Sequence, residues 1–180
     1  SLDAAMRMAL LTGVNQTAAA LTEMYASDMG VEYYETSAHA GARPSHAEWQ
    51  GKVFKIDGST SAYPNFVEST GYGTVGGLCG ANCRHSFYPF WPGISEPTYT
   101  KNMLQDYEQA KYTYNGNLLT EYEGSQIMRK MERSIRESKR ILTGYDSAVK
   151  SATDGETESS MKEAFHCLLY TSPSPRDRQK

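Results

Sequence analysis

Long apolar runs are missing from this chain. None approaches the ~20 residues that a membrane-spanning helix requires, so no helical span is expected. No basic, apolar and small-residue leader opens it. Cysteine is scarce: of three, one (Cys167) lies in a tail set aside below. Cys79 and Cys83 alone make no disulfide framework and point to a reducing compartment. A strong charge bias is also lacking, with 18 basic and 21 acidic residues giving a net charge of -3, which suggests no special partner. No internal repeat is present. What is there is aromatic: 13 tyrosines among 180 residues argue against a disordered composition. The length allows one domain with a sizeable core.

Both ends are unusual. The opening "SLDAAMRMALLTG" starts inside an apparent helix, as expected of a fragment of a longer chain. The closing "CLLYTSPSPRDRQK", Cys167 to Lys180, resembles a translated sequencing adapter. Its first six residues back-translate to TGTCTCTTATACACATCT, a transposon end used in library preparation. A stretch of this kind is excluded from fold reasoning. Without Arg176, Arg178, Lys180 and Asp177, 15 of 18 basic and 20 of 21 acidic residues remain, a net charge near -5.

Between those ends, residues 3–29 carry Ala4, Ala5, Met8, Ala9, Leu11, Leu21, Met24 and Tyr25 at helical spacing. Gly13 is expected to interrupt that helix and Gly30 to stop it. Residues 31–36 read as a strand. Ser45, with Glu48 three residues on, predicts a capped helical turn. "GKVFKIDGST" reads as a second strand ending in a hairpin signal at Asp57-Gly58. Residues 57–98 are rich in Gly and Pro and read as one long loop segment. From Thr100 the chain turns helical and charged. Ile127, Met131, Ile135 and Leu142 share one face, with Arg133–Glu137 and Glu132–Arg136 as ion pairs four residues apart. Gly144 is the expected stop, a second helix is expected from Tyr145, and "TDGETESS" reads as a polar break.

The densest chemistry lies in "GLCGANCRHSFYPF", Gly77 to Phe90. Cys79, Cys83 and His85, with His39 or His46, offer zinc-binding residue types. However, C-x3-C-x-H matches no zinc knuckle, and C-x3-C is not the C-x-x-C redox motif. The glycines Gly71, Gly73, Gly76, Gly77 and Gly80 lack the Lys-Ser/Thr of a phosphate loop, and read as sites of positive φ and close backbone approach. His39, His46, His85, Arg43 and Arg84 are the residue types of a nuclease or transferase. The plainer reading has the arginines bracing loops through carbonyls. Arg129 to Arg140 holds six cations and two anions. It reads as a solvated helix face, with phosphate contact to DNA as the other reading. Trp49, Phe54, Phe87, Tyr88, Phe90 and Trp91 read as core or interface.

Four blocks in order, "TGVNQT", "SAHAGARPSHAEWQGKVF", "YGTVGGLCGANCRHSFYPFWPGISEP" and "RKMERSIRESKR", resemble the phage minor capsid protein 2 family over roughly residues 1 to 142. The pattern also resembles the wider Mu F-type head morphogenesis domain. Its matching positions are Arg7, Arg43, His46, Gly51, Lys52, Asn82, Cys83 and Arg84. His85 departs from the pattern, standing where the wider group often has a second Cys. The resemblance implies a structural protein present in a few copies in a phage head, near the portal. Portal and capsid proteins would be its partners, with packaged DNA nearby and no membrane, and it would be made in the host cytoplasm. It implies no catalytic residues, and some relatives carry toxin or enzyme domains elsewhere in their chains.

The combined expectation is an α+β fold: an N-terminal helix on a small, mainly antiparallel sheet, long Gly/Pro-rich loops, and a charged C-terminal helical arm. The core is expected over 1–99, the arm over 100–166 and the adapter-derived tail over 167–180. Asn82-Cys83-Arg84-His85 is expected to close the domain structurally. Asn82 would take the left-handed conformation and Arg84 would bond carbonyls, with no metal, no cofactor and no turnover.

Overall fold

The computed structural model describes residues 2–171. The adapter-like tail falls outside the described residues from 172 onward. The architecture is α+β, and the chain divides into two compact units, 1–109 and 110–180. The division falls at 109/110, whereas the composition shift suggested 99/100.

The first unit opens with α1 (Leu2–Asp28), which buries only Ala19 and Ala26. Gly13 does not interrupt it. One exposed glycine costs a helix about 1 kcal/mol, too little to break a run flanked by strong helix formers. Gly30, at φ 63, ends the helical region as expected.

A three-stranded antiparallel sheet follows, in the order β2-β1-β3: β1 (Tyr33–Thr36) is central, flanked by β2 (Val53–Lys55) and β3 (Phe87–Phe90). Tyr34 pairs with Phe54 on one side and Pro89 on the other. Pro89 is tolerated because β3 is an edge strand. Three successive residues of β1, Tyr34, Glu35 and Thr36, are buried. That is the mark of a central strand covered on both faces. Tyr34 sits between Phe66 and Phe87, with ring centroids 5.0 and 4.7 Å away. Phe54, Phe66, Phe87 and Leu78 complete the core, each at most 2% exposed.

The stretch 57–98 is not a single loop. It holds α3 (Phe66–Thr70), capped by Asn65 accepting from the Glu68 N–H at 2.9 Å, and it holds β3. Asp57-Gly58 makes no hairpin. The chain returns to pair Lys55 with Asn65 in a single parallel bridge. The short helix α2 (Pro44–Ala47) begins one residue before the expected cap. Pro44, with its fixed φ, takes the first helical position, so Arg43 is the N-cap and Ser45 lies inside. The unit also contains α4 (Lys101–Glu108).

The second unit starts with a hairpin absent from the sequence expectation, β4 (Tyr112–Tyr114) and β5 (Asn117–Leu119). Asn115 and Gly116 both have positive φ, 49° and 78°, as a two-residue hairpin turn requires. Then α5 (Glu121–Ser151) opens on a capping box between Thr120 and Glu123. It continues through Gly144 to Ser151, where a stop was expected at Gly144. Ile127 and Met131 are half-buried and Ile135 is 7% exposed. Ile127 and Met131 line a cavity shared with Tyr112, Tyr114 and Leu119 of the hairpin. The helix α6 (Gly155–Thr171) packs back on α5.

"TDGETESS" is mostly helical. The break is shorter, and Asp154 caps α6 by accepting from the Thr157 N–H at 2.7 Å. Glu137 pairs with Arg140, not with Arg133. Arg136 donates to the main-chain oxygen of Glu132 and not to its carboxylate. No described helix is long and apolar enough to cross a membrane.

Candidate functional site

The first unit gathers four of its chemistry-bearing side chains at one place. His46 reaches it from α2, and Cys83 and His85 from the extended segment entering β3. Gln50 follows α2 by one turn. His46 and His85 are 2% and 1% exposed. Their Nδ1 atoms lie 3.3 Å apart. Cys83 Sγ lies 3.8 Å from His46 Nδ1 and 3.6 Å from His85 Nδ1. Each outer ring nitrogen is engaged: His46 Nε2 with the Gly76 carbonyl at 2.9 Å, His85 Nε2 with Gln50 Oε1 at 3.1 Å. Trp49 packs on both imidazoles. Burial, reinforced by the neighbouring histidines and Arg43, pushes His85 down to about 3. Burial also lowers His46, against the bond to the Gly76 carbonyl. Both rings are therefore neutral at pH 7.

The loop leading in is built by close backbone approach. A Cβ on Gly77 would lie 2.0 Å from the Gly71 carbonyl oxygen, so no other residue fits there. Asn82 adopts φ 56° and turns the chain into the extended run. From Cys83 to Phe87 inward and outward side chains then alternate. That alternation decides the fate of Arg84. It falls on the outward phase, is exposed, and makes no hydrogen bond among the described residues. The carbonyl-bracing role expected of Arg84 is taken by Arg43, whose Nη2 donates to the Ala81 oxygen at 2.9 Å.

Cys79 is 2% exposed in the apolar core, where its thiol donates to the His85 main-chain oxygen at 3.7 Å without joining the His46, Cys83 and His85 donor group. Burial pushes its thiol up to about 12. His39 stacks on His85 at 4.4 Å between centroids. Its Nδ1 meets the Ala40 carbonyl, and its Nε2 is buried with no hydrogen-bond partner among the described residues. Gly51, at φ 64°, lies against Leu104, Tyr99 and Ala38. Lys52 Nζ donates to the Glu48 oxygen. Arg7 is exposed on α1.

Two residues of the site escaped the sequence reading. Asn15 on α1 donates from Nδ2 to the His85 and Cys83 carbonyls, at 3.2 and 3.4 Å. Gln50 fixes His85. Asn15 lies in "TGVNQT" and Gln50 in "SAHAGARPSHAEWQGKVF". A polar amide inside those blocks was the available signal.

The model of the phage minor capsid protein 2 family matches residues 1–164. The chain belongs to that family. The match runs through both units, from α1 into α6. Two curated relatives carry the name "Structural protein". The one from Lactococcus phage LL-H is 32% identical over 107 residues, covering 57% of this chain and 26% of that protein. The one from Lactococcus phage mv4 is 32% identical over 77 residues, covering 43% of this chain and 53% of that protein. The chain thus spans about a quarter and about half the length of these two relatives. No solved structure matches it. As a member of the family, it is a structural protein of a phage.

Proposed function

We propose that the chain is part of a minor head protein of a tailed bacteriophage. It sits near the portal, binds portal and capsid proteins, and has no enzymatic activity of its own. The observation that carries this is the family match over residues 1–164. The six cations between Arg129 and Arg140 are all exposed on α5. They offer packaged DNA a phosphate-facing surface, with Glu137 already paired to Arg140. The protein is made in the host cytoplasm and carried in the virion.

The enzymatic alternative, a nuclease or nucleotide-modifying activity through His46, Arg84 and His85, has a weaker basis. Arg84 faces away from the two histidines, and both imidazoles are enclosed. A substrate phosphate would meet neither its cation nor an open path.

Cross-linking mass spectrometry on purified particles of a phage encoding the full protein tests the proposal. A few copies per particle, linked to the portal, are expected. Absence from particles, or an amount matching the major capsid protein, would overturn it. The same preparation should leave DNA and nucleotides unchanged.

A further inference from the structure

We propose that His46, Cys83 and His85 bind one transition-metal ion of the zinc class, through the two Nδ1 atoms and the Cys83 thiolate. The three donor atoms lie within 4.8 Å of one another. Their spacing is the first ground. With metal–nitrogen bonds of about 2.0–2.1 Å and a metal–sulfur bond of about 2.3 Å, tetrahedral angles separate two nitrogens by about 3.3 Å and nitrogen from sulfur by about 3.5 Å. The observed separations are 3.3 Å for N···N, and 3.6 and 3.8 Å for N···S.

The second ground is the hydrogen count. Gln50 Oε1 accepts from the His39 main-chain N–H at 3.1 Å. The carboxamide therefore presents oxygen to His85, and His85 Nε2 donates to it. His46 Nε2 faces the Gly76 carbonyl, which only accepts, so it too carries the hydrogen. In a neutral imidazole that leaves a lone pair on each Nδ1. Two lone pairs then confront each other across 3.3 Å in a buried site. The single S–H hydrogen of Cys83 can serve only one of them. A cation between the three donors satisfies all of them at once. The engagement of each outer ring nitrogen by an oxygen acceptor is also how metal-bound histidines are oriented. The His85 main-chain N–H points at Cys83 Sγ from 3.4 Å, which suits a thiolate.

Two nitrogens and one sulfur are a borderline-soft set, suited to Zn(II) and Co(II) rather than to Mg(II) or Ca(II). On binding, the Cys83 S–H bond is replaced by a sulfur–metal bond, and the proton passes to solvent. The fourth position is left to water. The ion would clamp α2 to the entry of β3, tying together elements 37 residues apart in sequence. The spacing of residues 79–85 alone conceals this, because the ligand from α2 is distant in sequence and Cys79 takes no part.

Cobalt titration of the full chain, with zinc as competitor, tests the proposal. One equivalent of Co(II) should give the intense visible bands of tetrahedral cobalt and a near-ultraviolet thiolate-to-cobalt band, both erased by zinc. Cys83→Ser should abolish the thiolate band, whereas Cys79→Ala and Cys167→Ser should keep it. Gln50→Ala should weaken binding about 10–100-fold. A second measurement needs no variant. In the wild-type chain, one equivalent of zinc should slow alkylation of Cys83, read on its peptide by mass spectrometry, and a chelator should restore the rate. A folded wild-type chain that takes up neither metal would overturn the proposal. So would a thiolate band that survives Cys83→Ser, or an alkylation rate at Cys83 indifferent to zinc.

Discussion

Asn15 and His85, seventy residues apart, are joined by one hydrogen bond: the Asn15 Nδ2 donates to the His85 main-chain oxygen at 3.2 Å. With the bond from the same Nδ2 to the Cys83 oxygen at 3.4 Å, it ties α1 to the segment that carries Cys83 and His85. Asn15→Ala should therefore destabilise the first unit by about 1–2 kcal/mol, the usual worth of one to two such bonds. It should also loosen residues 83–86. Urea unfolding, together with hydrogen exchange at the amides of His85 and Ser86, checks this. Unchanged exchange at those amides would remove Asn15 from the site.

Glu35 makes a comparable tie from the sheet to the segment after β3. Its carboxylate, on the central strand and 4% exposed, accepts from the Thr98 N–H at 2.7 Å and from the Thr98 hydroxyl at 2.9 Å. Glu35→Leu should cost about 1.5–3 kcal/mol, the usual worth of a hydrogen bond to a charged group. Exchange should accelerate at the Thr98 amide. A variant as stable as the wild type would show that Thr98 finds water instead.

Two glycines should respond in opposite directions to alanine. Gly77→Ala drives a Cβ into the Gly71 backbone, which no side-chain rotation relieves, so the Gly-rich loop should be severely disrupted. Gly144 lies within α5 with nothing within 4 Å of a built Cβ. There Ala should stabilise the helix by about 1 kcal/mol. Thermal melts of the two variants should move to opposite sides of the wild type. Movement in the same direction would refute the local geometry of one of them.

Ile135 is 7% exposed on α5 whereas Met128, on the same helix, is 60% exposed. Ile135→Ala should cost about 2–5 kcal/mol, and Met128→Ala should fall within about 0.5 kcal/mol of the wild type. Ile135→Asp should exceed both by placing an unpaired charge on a buried face. The check is circular dichroism during urea unfolding of the three variants. Equal effects at Ile135 and Met128 would mean that the face is not buried as described.

Much of the architecture was legible wherever periodicity carried it. The long helices, the strands around Tyr34 and Phe54, and the apolar face through Ile127, Met131 and Ile135 were all readable from spacing. Elements set by a few residues were harder. The Asn115-Gly116 turn is a strong hairpin signal, but its strands are only three residues each and vanish beside a charged helical run. β3 hid because "FYPF" contains a proline, and only its edge position makes that proline acceptable. Within the site, His46, Cys83 and His85 were visible as residues. What brings them together is a sheet closure between β1 and β3, and no local spacing encodes that. Arg84 misled because its chemistry suits bracing, whereas its phase in the extended run turns it outward.

The two tryptophans, Trp49 and Trp91, both lie in the first unit. That unit closes its sheet between β1 and β3, pairing residues more than fifty positions apart, whereas the main contacts among the described elements of the second unit, β4 with β5, β5 with α5 and α5 with α6, join neighbours along the chain. Distant pairing is slow to form and neighbouring contacts are fast. Intrinsic tryptophan emission therefore reports on the late-forming half alone. Far-ultraviolet ellipticity draws heavily on the quick one. In refolding from denaturant the two signals should separate in time, helical ellipticity first and emission afterwards, although the slower half carries the N-terminus.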